Sequence, residues 1–112
     1  MKVYIAGAIT GNPKYEEQFA EAERLLTGQG HAVINPVKNE GFSYREYIDM
    51  GLCQLMRCNA IYLLDGWSKS KGARLEKAYA DTVGLQIHDE EEELEESRFI
   101  EEALANVDRT EI

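Results

Sequence analysis

Residues 58–76 read CNAIYLLDGWSKSKGARLE. Within them, Ala60-Ile61-Tyr62-Leu63-Leu64 is the most hydrophobic run of the chain and is bounded by polar residues, which marks a central strand covered on both faces. Asp65 to Lys71 form a turn-rich loop, and a helix runs from about Gly72 to Val83, where Gly84 ends it. A doubly covered strand that leads directly into a helix belongs to a parallel sheet, since parallel strands need crossover connections.

The same alternation extends in both directions. Lys2–Ala6 (KVYIA) is a short buried strand ending at Gly7. After Gly7–Asn12 and Pro13, a helix from about Tyr15 to Thr27 places Tyr15, Phe19, Ala22, Leu25 and Leu26 on one face, and Gly28 and Gly30 stop it. Ala32–Asn35 is a second strand closed by Pro36, and 37–42 is a loop. Ser43 caps a helix to about Arg57 with an apolar stripe of Tyr44, Tyr47, Ile48, Leu52, Leu55 and Met56. Leu85–His88 forms an edge strand. Asp89 with Glu92 fits a capping box for a last helix, in which Ile100, Ala103, Leu104 and Val107 share a face that calls for burial against the body or a second copy. Strands alternating with helices predict an α/β fold: a single flavodoxin-like, Rossmann-like domain with a parallel sheet of about four strands in the order 2-1-3-4. The expected division is an α/β domain over 1–88 and an acidic helical tail over 89–112.

Composition narrows the function classes. The 112 residues carry 12 Lys+Arg and 21 Asp+Glu, a formal net charge of −9. The charge is unevenly placed: residues 1–88 hold ten acids and ten bases, whereas 89–112 hold eleven acids and two bases. The body is therefore neutral and can accept an anionic small molecule, while the absence of a basic stripe argues against nucleic acid. No apolar run approaches the roughly 20 residues of a membrane span, and the chain opens on a strand without a leader, so a cytoplasmic protein with no membrane partner is expected. Cys53 and Cys58 lie about 140° apart around one helix. They read as two buried, reduced thiols, and no Cys/His spacing suggests a metal.

In a doubly wound sheet, ligands bind beyond the carboxyl ends of the strands at the switch between strands 1 and 3. Three pieces converge there. Gly7-Ala8-Ile9-Thr10-Gly11 follows strand 1, and its glycines permit close approach and amide contacts to an anion. It is neither a Walker loop nor a GxGxxG fingerprint. Ser70, just before Gly72, can cap its helix or offer a hydroxyl to a phosphate at the helix N-terminus. Glu76 lies six residues after Ser70, either facing the crevice or serving as a first-turn acid. Tyr4 lies in strand 1, beneath the same crevice or in the core. Trp67, Tyr62, Lys69, Lys71 and Arg74 border it; Trp67 can stack on a base or plug the core edge.

VYIAGAITG, GHAVINP, CNAIYLLDGWSKSKGARLE and VGLQI, in this order, resemble the nucleoside 2-deoxyribosyltransferase superfamily, and in particular its short deoxyribosyltransferase-like domain of phages and prophages. The resemblance implies cleavage of an N-glycosidic bond, by hydrolysis or base transfer, through a covalent glycosyl intermediate on Glu76, with Tyr4 holding that carboxylate. Where the transferases carry an aspartate, the related deoxynucleoside 5′-monophosphate N-hydrolases carry a serine, matched here by Ser70. This implies a nucleoside 5′-monophosphate cradled by Gly7–Gly11, although Thr10 replaces an arginine. Aspartates that handle the base or its proton are matched by Gly51 and Asn59, neither of which is an acid; Asp49 is displaced by about 200° around its helix. No cofactor is implied, and a homo-oligomer is expected. Two other readings stay open: a silent nucleotide-binding module, and an interaction protein acting through its acidic tail.

Overall fold

Four parallel strands form one sheet in the order 2-1-3-4 along the chain. The computed structural model describes residues 1–36 and 41–110, with the backbone alone for 107–110. Residues 37–40 of the expected loop and the side chain of Val107 therefore lie outside the described residues. The elements are β1 (Lys2–Ala6), α1 (Tyr15–Gly28), β2 (Ala32–Ile34), α2 (Tyr44–Leu55), β3 (Ala60–Leu63), α3 (Lys71–Val83), β4 (Gln86–Asp89) and α4 (Glu90–Thr110). Each differs from its sequence expectation by no more than a residue or two at its ends, apart from a single 3-10 turn, Trp67–Lys69, inside the loop after β3.

Alternation along the strands sorts the core into two layers. Val3 and Ile5 of β1 face α1, where they pack with Phe19, Ala22, Leu26, Tyr62 and Leu64. Tyr4 and Ala6 face the opposite side, with Leu55 of α2, Ile61 and Leu63 of β3, and Ala73 and Ala80 of α3. β1 and β3 are paired on both edges, in register Tyr4↔Ile61 and Ala6↔Leu63, which explains their near-continuous apolar sequences.

One expectation about burial is corrected and another loses one of its two alternatives. Cys53 is exposed on the outer side of α2, whereas Cys58 is buried because α2 ends at Leu55 and Cys58 follows in the connection to β3, packed into the core. The apolar stripe of α4 does not fold back on the body: Ile100 and Leu104 are 57% and 60% exposed, and Phe99 is 73% exposed. Among the described residues, α4 is anchored at its start, where Asp89 Oδ1 caps the helix by accepting from the Glu91 and Glu92 amides. The rest projects, so the radius of gyration is 16.5 Å where a compact chain of this length has about 13 Å. Among the described residues, no helix is long and apolar enough to cross a membrane.

Candidate functional site

A cleft of about 610 Å³ opens at the carboxyl ends of β1 and β3. Its floor carries Tyr4 and Glu76. Tyr4 reaches it because alternate residues of β1 point toward α2 and α3. Glu76 reaches it because it lies on the sheet-facing side of α3, about 1.7 turns from Ser70. The Tyr4 hydroxyl donates a hydrogen bond to Glu76 Oε2.

Electrostatics set the state of this pair. Burial pushes the Glu76 carboxyl up to about 7, against the opposing pull of the Tyr4 hydrogen bond. Burial, reinforced by the neighbouring Glu76 charge, holds the Tyr4 hydroxyl far above its usual range, so Tyr4 remains a neutral donor. Glu76 is the single acid among the described residues lining the cleft, and Lys69 and Lys71 are its cations. The pair also has a close neighbour in α2. A Cβ built on Gly51 would lie 2.8 Å from the Tyr4 hydroxyl and 2.9 Å from Glu76 Oε2. Position 51 is thus part of the site, because its lack of a side chain leaves the space that the Tyr4–Glu76 pair fills.

The walls come from three segments. Ser70 caps α3, its Oγ accepting from the Ala73 amide at 3.2 Å, which leaves the hydroxyl proton free for another acceptor. On the opposite side stand Gly7, Ile9 and Thr10; a Cβ on Gly7 would lie 3.0 Å from Leu64 Cδ1, so glycine lets the chain cross the end of β3 closely. Tyr44, Tyr47 and Ile48 of α2 close the third side.

Over residues 1–89, the sequence matches the family described as a domain of unknown function, DUF4406. The chain belongs to that family. No curated protein matches the sequence. Among solved structures, the 2-desoxiribosyltransferase from Leishmania mexicana has the same fold, with a TM-score of 0.63 at 20% identity over 79% of this chain and 62% of that one. This DUF4406 domain thus has a nucleoside 2-deoxyribosyltransferase-like fold, and it spans less than two thirds of that enzyme's length.

The DUF4406 cleft gathers Tyr4, Gly7, Ile9, Thr10, Ser70, Gly72 and Glu76 from the residues singled out in the sequence. Others lie elsewhere. Ala8 and Gly11 belong to the loop but do not line the cleft. Asn59 precedes β3 and so sits at the amino end of the sheet, where its Oδ1 accepts from the Lys2 amide at 2.9 Å. Asp49 is exposed in a second groove between α2 and α3. Trp67 packs on the core edge and donates from Nε1 to Asp89 Oδ1 at 2.9 Å. Tyr62 faces the α1 side and stacks on His88 with centroids 4.5 Å apart. Arg74 is exposed and does not line the cleft, whereas Lys69 and Lys71 do.

Sequence reasoning missed the α2 wall and a buttress. Tyr44, Tyr47 and Ile48 stand in the apolar stripe of α2, and the two tyrosines at its first turns were the available signal: that end of the stripe extends past the sheet. Asn12 Nδ2 donates to Ala8 O and to Gln18 Oε1, both at 3.0 Å, and Gln18 Nε2 donates to Asp65 O at 2.8 Å. These bonds join the glycine loop to the turn after β3.

Proposed function

We propose that this domain cleaves the N-glycosidic bond of a nucleoside 5′-monophosphate, with Glu76 as nucleophile and Tyr4 as the residue that orients it. The observation that carries the reading is the Tyr4–Glu76 hydrogen bond on the floor of a cleft at the strand switch point. The named activity of the Leishmania protein of like fold points to the same class, nucleoside glycosyl transfer.

In the first step, a Glu76 carboxylate oxygen bonds to C1′ as the C1′–N bond breaks. The bond electrons leave with the base, which takes a proton from solvent. In the second, water adds to C1′, the ester bond returns its electrons to Glu76, and a proton passes to solvent. Nucleotide and water thus become sugar phosphate and free base; a second base in place of water makes the reaction a transfer. Tyr4 donates throughout without ionising and keeps one carboxylate oxygen fixed. Ser70, with its free proton at the start of α3, suits the phosphate, and Lys69 and Lys71 supply opposite charge. Tyr44 and Tyr47 offer ring faces to the base.

The test is chromatographic base release from a panel of nucleosides and 5′-monophosphates, beside Glu76→Ala. Release from monophosphates that is lost in the variant supports the reading; equal release by both proteins refutes it. A second reading, nucleotide binding without turnover, draws on one observation: the described lining has no second acid to protonate a departing base. Binding with no release across the panel would favour it.

A further inference from the structure

The start of α4 is bound to the loop that delivers Ser70. Glu91 Oε1 accepts from the Gly66 amide at 3.0 Å, the Ser68 amide at 3.3 Å and the Ser68 hydroxyl at 2.9 Å. Glu90 accepts from the Asp65 amide and the Tyr62 hydroxyl, both at 2.8 Å. Asp89 holds the Trp67 indole. The remaining amides of the loop bond within it: Trp67 to Leu64 O, Lys69 to Gly66 O and Ser70 to Trp67 O. The two groups are linked. Gly66, at φ +89, directs its amide to Glu91 while its carbonyl holds the Lys69 amide. Trp67, fixed by Asp89, presents the carbonyl that holds the Ser70 amide. Lys69 and Ser70 are the residues of this loop that line the cleft.

We infer that Glu91 is a positioning residue for the phosphate end of the cleft: through the Gly66 and Ser68 amides it fixes the turn that places Lys69 and Ser70. The inference rests on the monophosphate reading above, and it makes the first turn of α4 part of the site's framework although the family match ends at residue 89. Glu91 does not line the cleft, so its effect is confined to the ligand group that the loop receives. A carboxylate holding three donors is replaced by mobile water when it is removed, and the Gly66 and Ser68 donors lose their fixed acceptor.

The experiment measures binding of a 2′-deoxynucleoside 5′-monophosphate and of the matching free nucleoside to the full chain, to Glu91→Ala and to Glu91→Gln. Amide hydrogen exchange over residues 66–73 is followed in the same samples. Glu91→Ala should weaken the monophosphate roughly tenfold, the scale of one charge-assisted hydrogen bond. The free nucleoside should shift less than about twofold, since it has no phosphate to place. Glu91→Gln, which keeps an acceptor oxygen, should restore most of the affinity. Exchange at Lys69 and Ser70 should quicken in Glu91→Ala alone. Parent-like monophosphate affinity in Glu91→Ala overturns the inference and leaves the functional reading intact. A parent that binds no monophosphate instead overturns the functional reading; unchanged exchange at Lys69 and Ser70 would then overturn the positioning role as well.

Discussion

Gly51 lies directly against Glu76, so close that a Cβ at position 51 would stand 2.9 Å from the carboxylate oxygen that Tyr4 holds. By the family resemblance alone, this glycine reads as standing where an acid is expected. The geometry gives it a different meaning, because any side chain here displaces the Tyr4–Glu76 pair. Gly51→Ala should therefore cost about 1–3 kcal/mol of stability, the range for overpacking a filled site. Gly51→Asp should cost more, since it also sets a second carboxylate beside Glu76. Urea unfolding of the three proteins measures both. An alanine variant as stable as the parent would show that α2 yields at this point.

The raised Glu76 carboxyl has a signed effect on stability. In the unfolded chain it titrates near 4.5, and in the folded protein burial moves it to about 7. Between these values the folded state keeps a proton that the unfolded state releases. The contribution is therefore fully present below about 4.5 and is lost as pH rises through 7. Its full size is about 3 kcal/mol at most, from roughly 1.36 kcal/mol per unit. Glu76→Gln, which cannot ionise, should lose this dependence and should gain on the parent at pH 8 relative to pH 5. Parallel stability curves for the two proteins across that window would contradict the assignment.

Much of the fold was legible because its signals are local. Ala60–Leu64, Lys2–Ala6 and the helices between them are strong in period and well punctuated, and the crossover rule then leaves few strand orders. Tyr4 and Glu76 were legible as a pair only through the family resemblance, because nothing local tells which face of β1 meets which face of α3. Asn59 shows the converse. It sits beside the key strand in sequence, yet it precedes that strand, and in a parallel sheet the two ends of a strand are opposite ends of the molecule. The α4 stripe was legible in its apolar period but not in what covers it: the capping and side-chain bonds of residues 89–91 hold the helix by its first turn, and the body leaves Ile100 and Leu104 exposed.

Tyr4→Phe removes the donor and keeps the ring. The hydrogen bond from Tyr4 pulls the Glu76 carboxyl down, so without it the carboxyl should titrate still higher than about 7. The ionised fraction at neutral pH then falls. Carbon-detected NMR titration of Glu76 in parent and variant reads this directly. If turnover is present, its rising limb should move to higher pH in step with the titration. A variant that titrates like the parent would mean that Tyr4 packs beneath Glu76 without steering it.

Ser70 offers the sharpest separation of folding from binding. Its Oγ caps α3 through the Ala73 amide, so Ser70→Ala should lose about 1 kcal/mol of stability along with the hydroxyl proton available to a ligand. Aspartate is as good an N-cap as serine, so Ser70→Asp should keep the stability that alanine loses. It also places a negative charge where the proposed phosphate would bind. Nucleoside 5′-monophosphate binding should therefore be abolished in a fully folded protein, while a free nucleoside, which carries no charge to repel, is still bound. Thermal unfolding and calorimetric titration of the three proteins settle the matter together. Undiminished monophosphate binding by a stable Ser70→Asp protein would place the phosphate away from the start of α3.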